Sequence, residues 1–106
     1  MGVMDKLVSI DQIGKKITVH VQKEHLLADD NEIFKQELEK VLSLSGNEVI
    51  LDLEKVSYVS SLILASMMYI VKEMHDAKKK LVFTGIQPKV EDMLQITGLD
   101  KILEIK

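Results

Sequence analysis

Ser60 and Ser61 are the side chains in this 106-residue chain whose type and position best suit chemistry. They follow Val56-Ser57-Tyr58-Val59 and precede an apolar run that begins at Leu62, which places them at a strand-to-helix turn. A serine there has three uses. Its hydroxyl can accept a hydrogen bond from a first-turn N–H, which has no partner inside the helix. It can carry a phosphate, whose charge of about −1.5 to −2 the positive end of the helix tolerates. It can also act as a nucleophile, but the hydrolase elbow needs flanking glycines. The glycines stand at 2, 14, 46, 85 and 98, so none is close enough.

Other reactive constellations are weak. The chain has no cysteine, which excludes a disulfide framework, a cysteine zinc site and a thiol nucleophile. His20, His25 and His75 lack ligand spacing, and no glycine-rich loop is present to hold phosphates. Asp29-Asp30 and Glu91-Asp92 read as carboxylates at helix starts rather than as a catalytic pair. Neither a metal nor a cofactor is expected, and the chain reads as a binding protein rather than an enzyme. The net charge of −3, with Lys78-Lys79-Lys80 as the sole basic cluster, argues against nucleic acid as a partner. That cluster reads as a solvated helix end. Met1 to Lys6 lacks the apolar stretch of a signal peptide, and Lys6 stands where a myristoylation motif wants Ser or Thr. The stretch from Val56 to Val71 is too short and too rich in serine to span a bilayer. A soluble, cytoplasmic protein is expected.

The elements that must position the serines follow from periodicity. Leu7 to Ile10 and Ile17 to Val21 alternate around Gly14 as a β-hairpin. A loop from Lys23 to Asp30 follows. Asp29, Asp30 or Asn31 can cap a helix carrying Ile33, Phe34, Leu38, Val41 and Leu42, stopped by Gly46. Val49 to Leu53 is apolar enough for a central strand covered on both faces. A long helix runs from Ser60 to about Lys78, with Leu64, Met67, Val71 and Met74 facing the sheet. Leu81 to Thr84 is a strand ended by Gly85. Pro88 opens a third helix that closes near Thr97-Gly98, and Ile102 to Ile105 forms an edge strand. Helical connections demand parallel pairing, so the fold class is α/β. The expectation is one domain over residues 1–106, with a mixed, mostly parallel sheet, an antiparallel N-terminal hairpin strand, and three to four helices.

The segment around the serines resembles the signature of STAS domains, in particular those of bacterial anti-sigma factor antagonists. Leu51-Asp52-Leu53 resembles the family's strand end, and Val56-Ser57-Tyr58-Val59 its approach. Ser60 falls at the family's Asp, Ser61 at its phosphorylatable Ser or Thr, Ile63 at its Gly and Leu64 at its Leu. Ile96-Thr97-Gly98-Leu99 with Ile102 resembles the closing segment. The resemblance implies an anti-sigma factor antagonist. Such a protein binds an anti-sigma factor that is also a serine kinase, releases sigma, and is switched by phosphorylation of Ser61. The long helix is apolar all round, so Leu62, Ala65 and Tyr69 join Ser60 and Ser61 as an expected partner surface, with the bulk of Ile63, at the family's Gly, beside it. Burial of Leu62 and Tyr69 against the first helix is an equal alternative for those two side chains. A non-phosphorylated STAS-like scaffold, or a self-assembling interaction module, is the alternative for the whole. The oligomeric state is left open.

Overall fold

The computed structural model describes residues 7–98 and 101, and the backbone of 104 and 105. The expectations for Met1 to Lys6, Leu99, Ile102 and Leu103 lie outside the described residues.

Strand β1 (Val8–Ile13) turns at Gly14, with φ +59°, into β2 (Lys16–Val21), and the two pair antiparallel from Val8 opposite Val21 to Ile13 opposite Lys16. β3 (His25–Leu26) leads through a 3-10 turn into α1 (Asn31–Ser43). Then come β4 (Glu48–Asp52), β5 (Tyr58–Val59), α2 (Ser61–Asp76), β6 (Lys80–Thr84), α3 (Pro88–Thr97) and β7 (Glu104–Ile105). The main sheet has the order β1-β2-β4-β6-β7, with every pair after the hairpin parallel. β3 and β5 form a separate parallel ladder. This is the expected α/β architecture, with three α-helices.

One core holds it together. Ile17, Val19, Val49, Leu51 and Phe83 line one face of the sheet. Phe34, Leu38 and Val41 of α1, Met67, Ile70 and Met74 of α2, and Val90 and Leu94 of α3 cover them. β4 therefore departs from the expectation: its burial alternates, and Glu48, Ile50 and Asp52 on the other face are only half-buried. Ile50 needs no helix above it, because Thr18 and Val82 stand beside it on neighbouring strands.

Three further details correct the sequence expectations. In α2 the sheet-facing arc is Ile63, Leu64, Met67, Ile70 and Met74, while Val71 sits half-buried at its margin. At about 100° per residue Val71 falls between Met67 and Leu64 on the helix, so its half-burial is set by what packs opposite it and not by its turn. α1 stops at Ser43, where Leu44 turns extended, rather than at Gly46. Gly46 serves a close approach instead, since a Cβ there would lie 2.9 Å from Ile17 Cδ1 and 3.0 Å from the Lys15 carbonyl. The lysine run is a solvated helix end only in part, since Lys78 and Lys80 are exposed and Lys79 is not. Lys78 adopts φ +60°, Lys79 donates to the carbonyls of Leu44 and Gly46, and Lys80 opens β6. Lys79 thus clamps the α1–β4 turn.

The entry to α1 is set by Asp30. Its carboxylate accepts from Lys23 Nζ at 2.8 Å and from the Leu27 N–H at 2.9 Å. Partial burial pushes the acid's pKa up, and the bonds from Lys23 and Leu27 outweigh it, so the net shift is downward. A lowered carboxylate pKa stabilises the fold above the unfolded value of about 3.9 and loses that stabilisation as pH falls through the folded value. Unfolding measured from pH 7 to pH 2 should therefore show Asp30→Asn less stable than the parent at neutral pH. The two curves should converge in acid; a constant gap would rule this linkage out.

Candidate functional site

The small β3–β5 ladder aims the serines. Glu24 accepts from the Ser57 N–H at 2.8 Å, and Leu26 accepts from the Ser60 N–H at 2.8 Å. Ser60 is thereby held extended, at φ −72° and ψ 160°, one residue before α2 begins. Its hydroxyl accepts from the Ile63 N–H at 3.3 Å and its carbonyl from the Leu64 N–H at 3.0 Å. Ser60 is the helix cap, a role worth about 1 kcal/mol.

That assignment separates the two serines. With the cap occupied, Ser61 is the first helical residue, exposed, and its hydroxyl has no hydrogen-bond partner among the described residues. Ala65 is exposed on the next turn. Leu62 is 48% and Tyr69 39% exposed, so neither is buried against α1. At about 100° per residue, Ser61, Ala65, Tyr69 and Leu62 share an arc of roughly 100°, opposite the core arc. Four of the five expected site residues therefore share one exposed surface, and Ser60 lies half-buried at its N-terminal end.

Tyr69 is steered from α1. Lys35 Nζ sits 4.7 Å from its ring centroid, and its hydroxyl donates to Glu39 at 3.4 Å. The Glu73 charge, with partial desolvation and Glu39, pushes the phenol pKa up, so the ring stays neutral. Ser66 donates to Asn31 Oδ1 at 2.5 Å and ties the middle of α2 to the start of α1. Asn31 is a candidate cap by residue type, and its pairing with a residue 35 positions later has no signal in the sequence.

Ile63 corrects an expectation. Its side chain is 0% exposed and lies in the core, so it adds no bulk to the surface beside Ser61. Two short strands have no counterpart among the sequence expectations, because residues 25–26 and 58–59 are too few to show a period.

At the end of β4, Asp52 ties the start of the connection toward the site to β2. One carboxylate oxygen accepts from the Glu54 N–H at 3.1 Å, and the other lies 2.8 Å from His20 Nδ1. His20 Nε2 lies 3.3 Å from Asp11. Gly85, at φ +68°, passes close by. A Cβ there would come within 2.9 Å of Glu54 Cβ and 3.0 Å of Asp52 Oδ1. Gly85→Ala should therefore lower stability by about 1–3 kcal/mol, read from its denaturant midpoint, whereas Gly14→Ala meets no neighbour and should lose less. Among the described residues no cluster of three or more His, Asp or Glu side chains is set to hold a metal ion.

The STAS domain model matches residues 7–106. The chain belongs to the STAS domain family. Solved structures agree with the fold. The Thermotoga maritima protein TM1081 superposes with a TM-score of 0.82 at 21% identity, covering 100% of this chain and 85% of that one. An anti-sigma factor antagonist from Mycobacterium paratuberculosis gives 0.81 at 16%, covering 92% and 82%. The unphosphorylated form of the Bacillus anti-sigma factor antagonist SpoIIAA gives 0.77 at 12%, covering 93% and 87%. In this STAS domain the turn that carries Ser60 and Ser61 opens α2, and Thr97-Gly98 closes α3. Thr97 Oγ1 donates to the Met93 and Leu94 carbonyls, and Gly98 takes φ +79°. No helix among the described residues is long and apolar enough to cross a membrane.

Proposed function

We propose that this STAS protein is a cytoplasmic anti-sigma factor antagonist that binds a protein partner and is switched by phosphorylation of Ser61. The observation that carries the reading is the division of labour between the serines: Ser60 caps the helix, which leaves the Ser61 hydroxyl exposed and unengaged. A kinase can take Ser61 without dismantling the helix start. Leu62, Ala65 and Tyr69 surround it with an apolar surface suited to a protein partner. A phosphate on Ser61 meets the positive end of α2, so the domain stays folded. The same charge opposes docking against an apolar or acidic face. The chain itself performs no catalysis; its partner is an anti-sigma factor with serine kinase activity, whose release frees sigma. The likeness to SpoIIAA, solved in a phosphorylated form as well, supports this cycle.

The test is to incubate the protein with an anti-sigma factor kinase and Mg-ATP and to map phosphate by mass spectrometry. One phosphate is expected on Ser61, absent from Ser61→Ala and retained by Ser60→Ala. Phosphate on Ser60 or elsewhere would overturn the Ser61 switch, and no phosphate with a kinase that binds the protein would leave the non-phosphorylated scaffold as the reading.

A further inference from the structure

We infer that the free edge of β1 is a self-association surface, on which a second copy of this chain pairs antiparallel about a two-fold axis at Ile10. This is independent of the phosphorylation reading, because it uses the hairpin edge and not α2.

β1 pairs with β2 over six residues, and among the described residues no strand pairs with its other side. The direction of its free groups follows from the register. The Leu7 carbonyl accepts from the Gln22 N–H, and pairing continues residue for residue from Val8 opposite Val21. Antiparallel ladders alternate, so Leu7, Ser9, Asp11 and Ile13 turn their backbone groups to β2, and Val8, Ile10 and Gln12 turn theirs outward. Edges of this kind are usually blunted by lysine, proline or a bulge. The segment Val8-Ser9-Ile10-Asp11-Gln12-Ile13 has no lysine or proline, its register is unbroken, and Ile13 is 81% exposed.

Asp11 is its one charge, and that charge selects both the occupant and the register. A two-fold axis at Ile10 sets Val8 opposite Gln12 of the second copy, Ile10 opposite Ile10 and Gln12 opposite Val8. All outward groups are then satisfied, in about six hydrogen bonds. Ser9 faces Asp11 of the second copy across a close, non-hydrogen-bonded position, where its hydroxyl can donate to the carboxylate. Shifting the axis to Asp11 would set two carboxylates face to face, which is destabilising. The charge thus favours the axis at Ile10 over the axis at Asp11, and the axis at Ile10 satisfies all three outward residues. The interface is short and of the class that associates weakly, so the dimer forms as concentration rises.

Sedimentation velocity of the full chain over a concentration series tests this without any kinase. The parent is expected to shift from monomer to dimer. Ser9→Asp places a carboxylate opposite Asp11 twice per dimer and should weaken association about tenfold; Ser9→Lys should tighten it by a similar factor. Circular dichroism and the thermal midpoint check that both variants fold, which Ser9, half-buried on the helix-free face, should permit. A monomer at every concentration overturns the proposal and leaves the edge to an extended segment of another protein. So does a dimer indifferent to the charge at position 9.

Discussion

Replacing Ile63 with glycine should destabilise the domain by about 3–6 kcal/mol, even though glycine is the residue the family pattern places there. Two effects add. Ile63 is fully buried in the common core, and truncating a buried isoleucine to alanine costs about 2–5 kcal/mol through lost transfer energy and the cavity left behind. Glycine inside a helix costs about 1 kcal/mol more than alanine. Domains of this kind have roughly 5–15 kcal/mol in total, so the loss is a large share of the whole. Denaturant unfolding of Ile63→Gly and Ile63→Val would measure it. The valine variant should lose only about 0.5–1.5 kcal/mol. A loss below about 1 kcal/mol for glycine would mean that the side chain does not fill the core. The departure at position 63 is thus a matter of packing, and the buried side chain adds nothing to the proposed docking surface.

A charge at Ser61 should leave the fold intact and weaken partner binding at least tenfold. Ser61→Glu puts a carboxylate in the first turn of α2, where the helix dipole is favourable by about 0.3–1 kcal/mol, so its thermal midpoint should match or exceed the parent's. In the proposed complex the same carboxylate must be desolvated beside Leu62 and Ala65. An unpaired charge in an interface costs several kcal/mol, more than a tenfold loss of affinity requires. Titration calorimetry with the anti-sigma factor compares Ser61→Glu with Ser61→Ala, which should bind like the parent. Equal affinities for the two would place the interface elsewhere. Leu62→Asp supplies an independent check: it should weaken binding and, because the proposed partner is also the kinase, slow phosphorylation of Ser61 with it.

Much of the architecture is legible in the amino-acid sequence. Alternation in Ile17-Thr18-Val19-His20-Val21 specifies a strand with one buried face, and spacings of three and four in α1 specify an amphipathic helix. Helix-linked strands then leave little choice but a parallel sheet. The order of Leu51-Asp52-Leu53, Val56 to Ser61 and Thr97-Gly98 also suffices to suggest the family. Local physics accounts for the strand and the helix, because each depends on neighbours within a few residues; the family rests on resemblance.

The division of the Ser60-Ser61 pair is not legible there. Either hydroxyl can cap, and only the anchoring of Ser60 to Leu26 through the β3–β5 ladder decides which one does. The same holds for Ile63, Val71 and Lys79. A residue's turn along a helix is readable from the sequence, but its burial depends on which elements arrive opposite it. Composition and periodicity by themselves determined a compact α/β fold with a serine-bearing turn. The tertiary structure decided which serine is free, because that depends on a hydrogen bond to Leu26, far away in the sequence, which no local pattern encodes.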